Sequence, residues 1–118
     1  MGKIYTVLSQ NIENQTITTK ITINANHPIF KGHFPEQPVL PGVCQLDIIT
    51  EILSEYLQKD ITISQSRNIK YPGMIIPGKI DELTVEIVQN NDDGTEITSR
   101  IFSDDSVFLK AKIKFSII

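Results

Sequence analysis

Tryptophan is absent from this 118-residue chain, cysteine occurs once, and apolar runs are short. A lone Cys44 excludes an internal disulfide and suits a reducing compartment. No stretch approaches the roughly 20 apolar residues that a bilayer-spanning helix needs, so no membrane segment is expected. The start, Met-Gly-Lys-Ile-Tyr-Thr-Val-Leu-Ser-Gln, lacks the long apolar core of a secretory signal, which points to the cytoplasm. Basic blocks are missing too. Eleven Lys and Arg are scattered against 14 Asp and Glu, for a net charge of −3, and aromatics make up 7%. Nucleic-acid binding is therefore not expected. What remains is an ordinary globular composition, 40% hydrophobic, of a length that predicts a single domain over residues 1–118. Such a domain is small enough for dimerisation to add much of its burial.

Four of the six prolines and both histidines fall within residues 27–47. Proline fixes φ, removes a donor and pushes the preceding residue toward extended geometry, so this stretch is a stiff irregular path. Pro28 could open one helical turn reaching Lys31. Around the stretch the pattern is regular. Residues 3–8 alternate as a short strand, 11–15 read as a turn, and 16–24 put Ile17, Ile21 and Ile23 on one face of a half-buried strand. Residues 41–58 predict the one long helix. Val43, Leu46, Ile49, Leu53 and Leu57 recur at helical spacing, joined by Ile52 and Tyr56, with Glu51, Ser54, Glu55 and Lys59 outward. Strand patterns follow over 61–71, 80–89, 95–103 and 106–117. Pro72-Gly73 and Pro77-Gly78 bracket a kinked apolar link, and residues 90–94 form a hairpin turn signal. One long apolar helix among about six antiparallel strands predicts an α+β hotdog fold, the sheet curled around the central helix. Its open sheet edges invite a second chain, so a dimer is expected.

Two ionisable residues stand out. His33 sits on the proline-stiffened loop and has a pKa suited to proton transfer near neutrality. Asp47 lies on the helix, on a face read as mostly buried, where a carboxylate must be paired, hydrogen-bonded or protonated. Gly42 and Val43 offer free N–H groups at the helix start, suited to a carbonyl oxygen that gains charge. A base, a second acid or base and an oxyanion site could remove a proton beside a thioester carbonyl and expel a β-hydroxyl. On spacing alone this competes with blander readings, since a histidine beside prolines is more often structural and a helical Asp more often solvated. His27 reads as a loop brace, Glu36 as exposed, Tyr56 as core. Cys44 reads as a small buried hydrophobe and not a nucleophile. The two histidines have no third ligand at metal-binding spacing.

The run Phe30-Lys31-Gly32-His33-Phe34-Pro35-Glu36-Gln37-Pro38-Val39-Leu40-Pro41-Gly42-Val43-Cys44-Gln45-Leu46-Asp47 resembles the signature of the (3R)-hydroxyacyl-acyl-carrier-protein dehydratases of fatty-acid synthesis. The segment Asn68-Ile69-Lys70-Tyr71-Pro72-Gly73-Met74-Ile75-Ile76-Pro77-Gly78 is similar to that family's Lys-Phe-x-x-Pro-Val-x-Pro-Gly-Asp. The resemblance implies that His33 takes the α-proton, Asp47 assists departure of the hydroxyl as water, and the Gly42 and Val43 amides hold the thioester oxygen. It implies a site shared across a hotdog dimer, of two like chains or of two different ones. The substrate would arrive on phosphopantetheine of an acyl carrier protein, in a tunnel lined by Phe30, Phe34, Val39, Leu40 and Met74, with no metal or redox cofactor. Lys31, Arg67, Lys70 and Lys79 could offer positive charge to the acidic carrier, or be ordinary solvated surface. Asp in place of Glu is shared with the branch that also isomerises the double bond, and Leu40 replaces the usual Met. A short chain bearing Asp also looks like the small dehydratases of aryl-polyene or flexirubin-type pigment clusters. Two competing readings are a hotdog thioesterase, to which the Gly-His-Phe-Pro loop is foreign, and a non-catalytic acyl-binding subunit.

Overall fold

The computed structural model describes residues 4–28, 39–77, 79–80, 82–90, 95–104 and 106–118, with the side chain of Arg67 left aside. Its elements are β1 (Tyr5–Glu13), β2 (Thr16–Ile23), α1 (Gly42–Leu57), β3 (Ile61–Lys70), β4 (Leu83–Gln89), β5 (Glu96–Ser103) and β6 (Ser106–Ile117). The six strands described form one antiparallel sheet in the order β1-β2-β4-β5-β6-β3. Threonine, valine and isoleucine favour this pleated surface, and their alternation decides which face is buried. Ile17, Ile21 and Ile23 of β2 point inward, as do Leu83, Val85 and Ile87 of β4, and Leu109, Ala111, Ile113 and Phe115 of β6. These side chains join Ile48, Ile49, Ile52 and Leu53 of α1 in one core cluster. The sheet buries the helix, which is the expected hotdog architecture.

Two expectations about the elements change. The first strand is longer than its alternation suggests, because residues 9–13 pair with β2 as far as Glu13↔Thr16. The turn narrows to Asn14 and Gln15, with φ of 49° and 67°. Two consecutive left-handed residues match the right-handed twist of the flanking strands. Past Tyr5, β1 is exposed on both faces, with Val7, Leu8 and Ile12 each close to half exposed. The helix is also rotated from its expected orientation. Its buried stripe is Cys44, Gln45, Ile48, Ile49, Ile52 and Leu53. Val43 is 64% exposed and Tyr56 38%, so neither belongs to the core.

The helix starts at Pro41, whose φ of −60° and ψ of 148° are extended, and stops at Gln58 in the left-handed region. There the Gln58 and Lys59 N–H groups donate to Glu55 and Ser54 carbonyls, closing the last turn as in other left-handed caps. Leu40 N–H donates to the Ile75 carbonyl at 2.9 Å. That bond ties the approach to the helix to the kinked segment after β3, and Ile75 is 1% exposed. His27 N–H donates to the Asn24 carbonyl, in keeping with a bracing role. The helical turn suggested from Pro28 lies largely outside the described residues, as do positions 91–94 of the expected hairpin turn.

Candidate functional site

The start of α1 is where the sequence placed the chemistry, and its geometry follows from Pro41. Proline at the cap has no side-chain acceptor to offer, and no acidic residue stands in the first turn. The first N–H groups of a helix have no acceptor within it. Here Cys44 and Gln45 N–H close on the Pro41 carbonyl at 3.0 and 3.2 Å. The N–H groups of Gly42 and Val43 are left without a partner among the described residues. Together with the helix dipole they form a donor pair suited to an oxygen that gains negative charge.

Tyr71, the first residue after β3, stands over this spot. A Cβ added at Gly42 would lie 2.6 Å from its Cζ and 2.8 Å from its hydroxyl oxygen. A side chain at position 42 would therefore have to displace the tip of the Tyr71 ring, which is itself 44% exposed. Burial pushes the Tyr71 hydroxyl above its ordinary pKa, so it stays a neutral donor. Met74, 63% exposed, lies on the same segment. Leu40 is 2% exposed and Val39 partly buried, which makes Leu40 core packing as well as a neighbour of the site.

Asp47 is exposed in the single chain, not on a mostly buried face as expected. It follows Val43 by four residues, so the two lie one above the other on the uncovered side of the helix. Its charge reaches Cys44: burial first, and Asp47 second, push the thiol above its ordinary value. A protonated, buried Cys44 is no nucleophile. Glu51, one turn further on, accepts a hydrogen bond from the buried Tyr5 hydroxyl at 3.4 Å. Burial and then the Glu51 charge push that phenol well up. Gln45, 2% exposed, has a side-chain oxygen with no partner among the described residues.

The structure thus brings together Gly42, Val43 and Tyr71 at one helix start, with Asp47 one turn further along the open face and Met74 exposed three residues beyond Tyr71. His33, Phe30 and Phe34 lie outside the described residues, and so do Lys31 and Glu36. Tyr71 and Gln45 were not singled out from sequence. Tyr71 had a signal, a Tyr where the similar family segment has Phe, whereas a buried glutamine in an apolar helix leaves none. Among the described residues no three His, Cys, Asp or Glu converge as a metal site. No helix there is long and apolar enough to cross a membrane.

The family model for ApeI-like proteins, described as ApeI dehydratase, matches residues 9–112. A relative from Clostridium acetobutylicum, named 3-hydroxyacyl-acyl-carrier-protein dehydratase FabZ, is 30% identical over 74 residues, 57% of this chain and 52% of that one. One of the same name from Chlamydia abortus is 25% identical over 123 residues, 95% of this chain and 79% of that one. Among solved structures, the dehydratase heterocomplex ApeI:P from Xenorhabdus doucetiae shares the fold. Its TM-score is 0.80 at 24% identity, covering 93% of this chain and 96% of that one.

Proposed function

Because the chain belongs to the ApeI-like dehydratase family, we propose that it removes water from a (3R)-3-hydroxyacyl thioester carried on an acyl carrier protein, giving the trans-2-enoyl thioester. The observation that carries this reading is the uncapped helix start with a carboxylate one turn along the same open face. The thioester oxygen accepts from the Gly42 and Val43 N–H groups, which favours negative charge on it as the α-proton leaves. His33 is the base for that proton. Asp47 assists departure of the 3-hydroxyl, which takes up a proton in exchange for the one lost from the α-carbon and leaves as water. No redox change occurs, and neither metal nor redox cofactor is required. Met74 and Val39, with Phe30 and Phe34 of the loop, line the path of the acyl chain.

An open Asp47 and an exposed Val43 are unfavourable surroundings for a reaction that must exclude water. A second hotdog chain over this face supplies the cover. It is either another copy or a different subunit, as in the ApeI:P heterocomplex that this fold matches. The pathway is polyene- or fatty-acid-like, in the cytoplasm.

Mass spectrometry of a 3-hydroxyacyl-carrier protein tests the reading. Wild type removes one water, and His33→Ala and Asp47→Ala do not. Water loss that survives His33→Ala removes that residue as the base. Free acid in place of an enoyl product moves the chain to the thioesterases. Silence alone, followed by water loss when a second hotdog chain is added, makes it one subunit of a mixed pair.

A further inference from the structure

The Tyr71 hydroxyl does nothing for the fold. It has no hydrogen-bond partner among the described residues, and burial alone pushes it above its ordinary pKa. Partial burial of a hydroxyl without a partner carries a desolvation cost. Phenylalanine, which the similar family segment has at this position, would seat the same ring without that cost. The backbone beneath the ring is held at several points. Pro72 fixes its own φ and favours extended geometry at Tyr71. Gly73 lies close against β6, where an added Cβ would stand 3.2 Å from Phe108 Cδ1 and 3.3 Å from the Val107 carbonyl oxygen. The Ile75 carbonyl accepts from the Leu40 N–H at 2.9 Å. A fixed segment thus aims the ring, while the residue stays 44% exposed and open to a ligand.

The ring points at the free donor pair. Its hydroxyl oxygen lies 2.8 Å from where a Gly42 Cβ would be, hence within about 5 Å of the Gly42 nitrogen. A helical Cα–Cβ bond tilts toward the N-terminus, so an atom seated there stands at the mouth of the helix. The unpartnered Gly42 and Val43 N–H groups open to the same side. An oxygen held by them at ordinary hydrogen-bond length comes within reach of the phenol after a small swing of the ring. Resting on the dehydratase reading above, we propose that Tyr71 is a catalytic residue whose hydroxyl donates a third hydrogen bond to the thioester oxygen, beside those of Gly42 and Val43. Tyr71 keeps its proton throughout, and no bond to it forms or breaks. Its hydrogen bond is weaker to the neutral thioester and stronger to the oxygen that gains charge as the α-proton leaves. Such a contact acts on kcat and leaves substrate binding nearly unchanged.

Tyr71→Phe tests this, since it removes the hydroxyl and keeps the ring. The assays use the full chain, with a second hotdog subunit where one is required. On a 3-hydroxyacyl pantetheine thioester, kcat for water loss should fall about tenfold or more, with KM within about threefold of wild type. The melting temperature should not fall, because the hydroxyl has no partner in the fold to lose. Tyr56→Phe, at an exposed tyrosine near the far end of the helix, should change none of these. A second readout needs no turnover. The probe is a trans-2-enoyl pantetheine thioester, isotope-labelled at its carbonyl carbon. Hydrogen-bond donors lower its carbonyl stretching frequency, so infrared difference spectra should show a downward shift on binding wild type and a smaller one on Tyr71→Phe. Unchanged kcat overturns the proposal, as does a raised KM with kcat kept, or an equal carbonyl shift in both proteins. A wild type that removes water from no hydroxyacyl thioester removes the dehydratase reading, while the carbonyl shift still decides Tyr71. A probe that does not bind overturns both.

Discussion

Replacing Gly42 by Ala tests the packing on which the site rests. The added methyl would sit 2.6 Å from Tyr71 Cζ, where ordinary contact begins near 3.4 Å, so something must yield by most of an ångström. Overpacking of that kind costs about 1–3 kcal/mol in a well-packed core, and toward the lower end here because the Tyr71 ring is 44% exposed. Against it stands the better helix propensity of alanine, up to about 1 kcal/mol over glycine. Gly42→Ala should therefore destabilise the chain by about 0.5–2 kcal/mol. In a Tyr71→Ala background the obstruction is gone, and the same change should stabilise by up to about 1 kcal/mol. The coupling between the two positions is then about 1–3 kcal/mol, the range of residues in direct contact. For 118 residues each kcal/mol moves the melting temperature by about 4 °C. Differential scanning fluorimetry on the four proteins, at one fixed concentration, resolves this. Equal stabilisation by Gly42→Ala in both backgrounds would refute the reasoning, because the ring would then not be what keeps position 42 free of a side chain.

Other outcomes follow from burial and charge. Ile49→Ala, at a site 1% exposed, should cost about 2–5 kcal/mol, read as a lower urea midpoint. Asp47→Asn, on the open face, should leave stability within about 0.5 kcal/mol while removing water loss, and a large drop in melting temperature would show that Asp47 is structural. Burial raises the Cys44 thiol and the Tyr5 hydroxyl above ordinary values of 9.0 and 10.0. The unfolded chain then loses these protons first, so stability should fall as pH rises above about 9. Tyr5→Phe should flatten the part of that decline above pH 10, as followed by thermal melts from pH 7 to 11.

The strands could be read from the sequence wherever one face is buried, because Ile and Val alternate with Thr and Lys. Residues 9–13 of β1 escaped, since a strand exposed on both faces shows no alternation and is held by its hydrogen bonds alone. The helix was legible as an element but its orientation was not. Polar Gln45 and small Cys44 take buried positions, while apolar Val43 and Tyr56 face outward, and a periodicity count weights these the wrong way. The proline-rich motif located the helix start and its free donors. The ring over Gly42 comes from a segment beyond the next strand, and Lys70 and Lys110 meet only through the register of β3 with β6, so neither is visible in the sequence.

The exposed first strand bears on how the protein behaves at high concentration. β1 is an edge with Val7, Leu8 and Ile12 uncovered and no proline, lysine or arginine among its nine residues. Its only interruption is a register break between Val7 and Ser9. Unprotected edges of this kind recruit strands from other molecules, and natural sheets blunt them with charge or proline. Precipitation on concentrating should therefore begin at this hairpin, and a single Leu8→Lys change should raise the attainable concentration without touching the helix start.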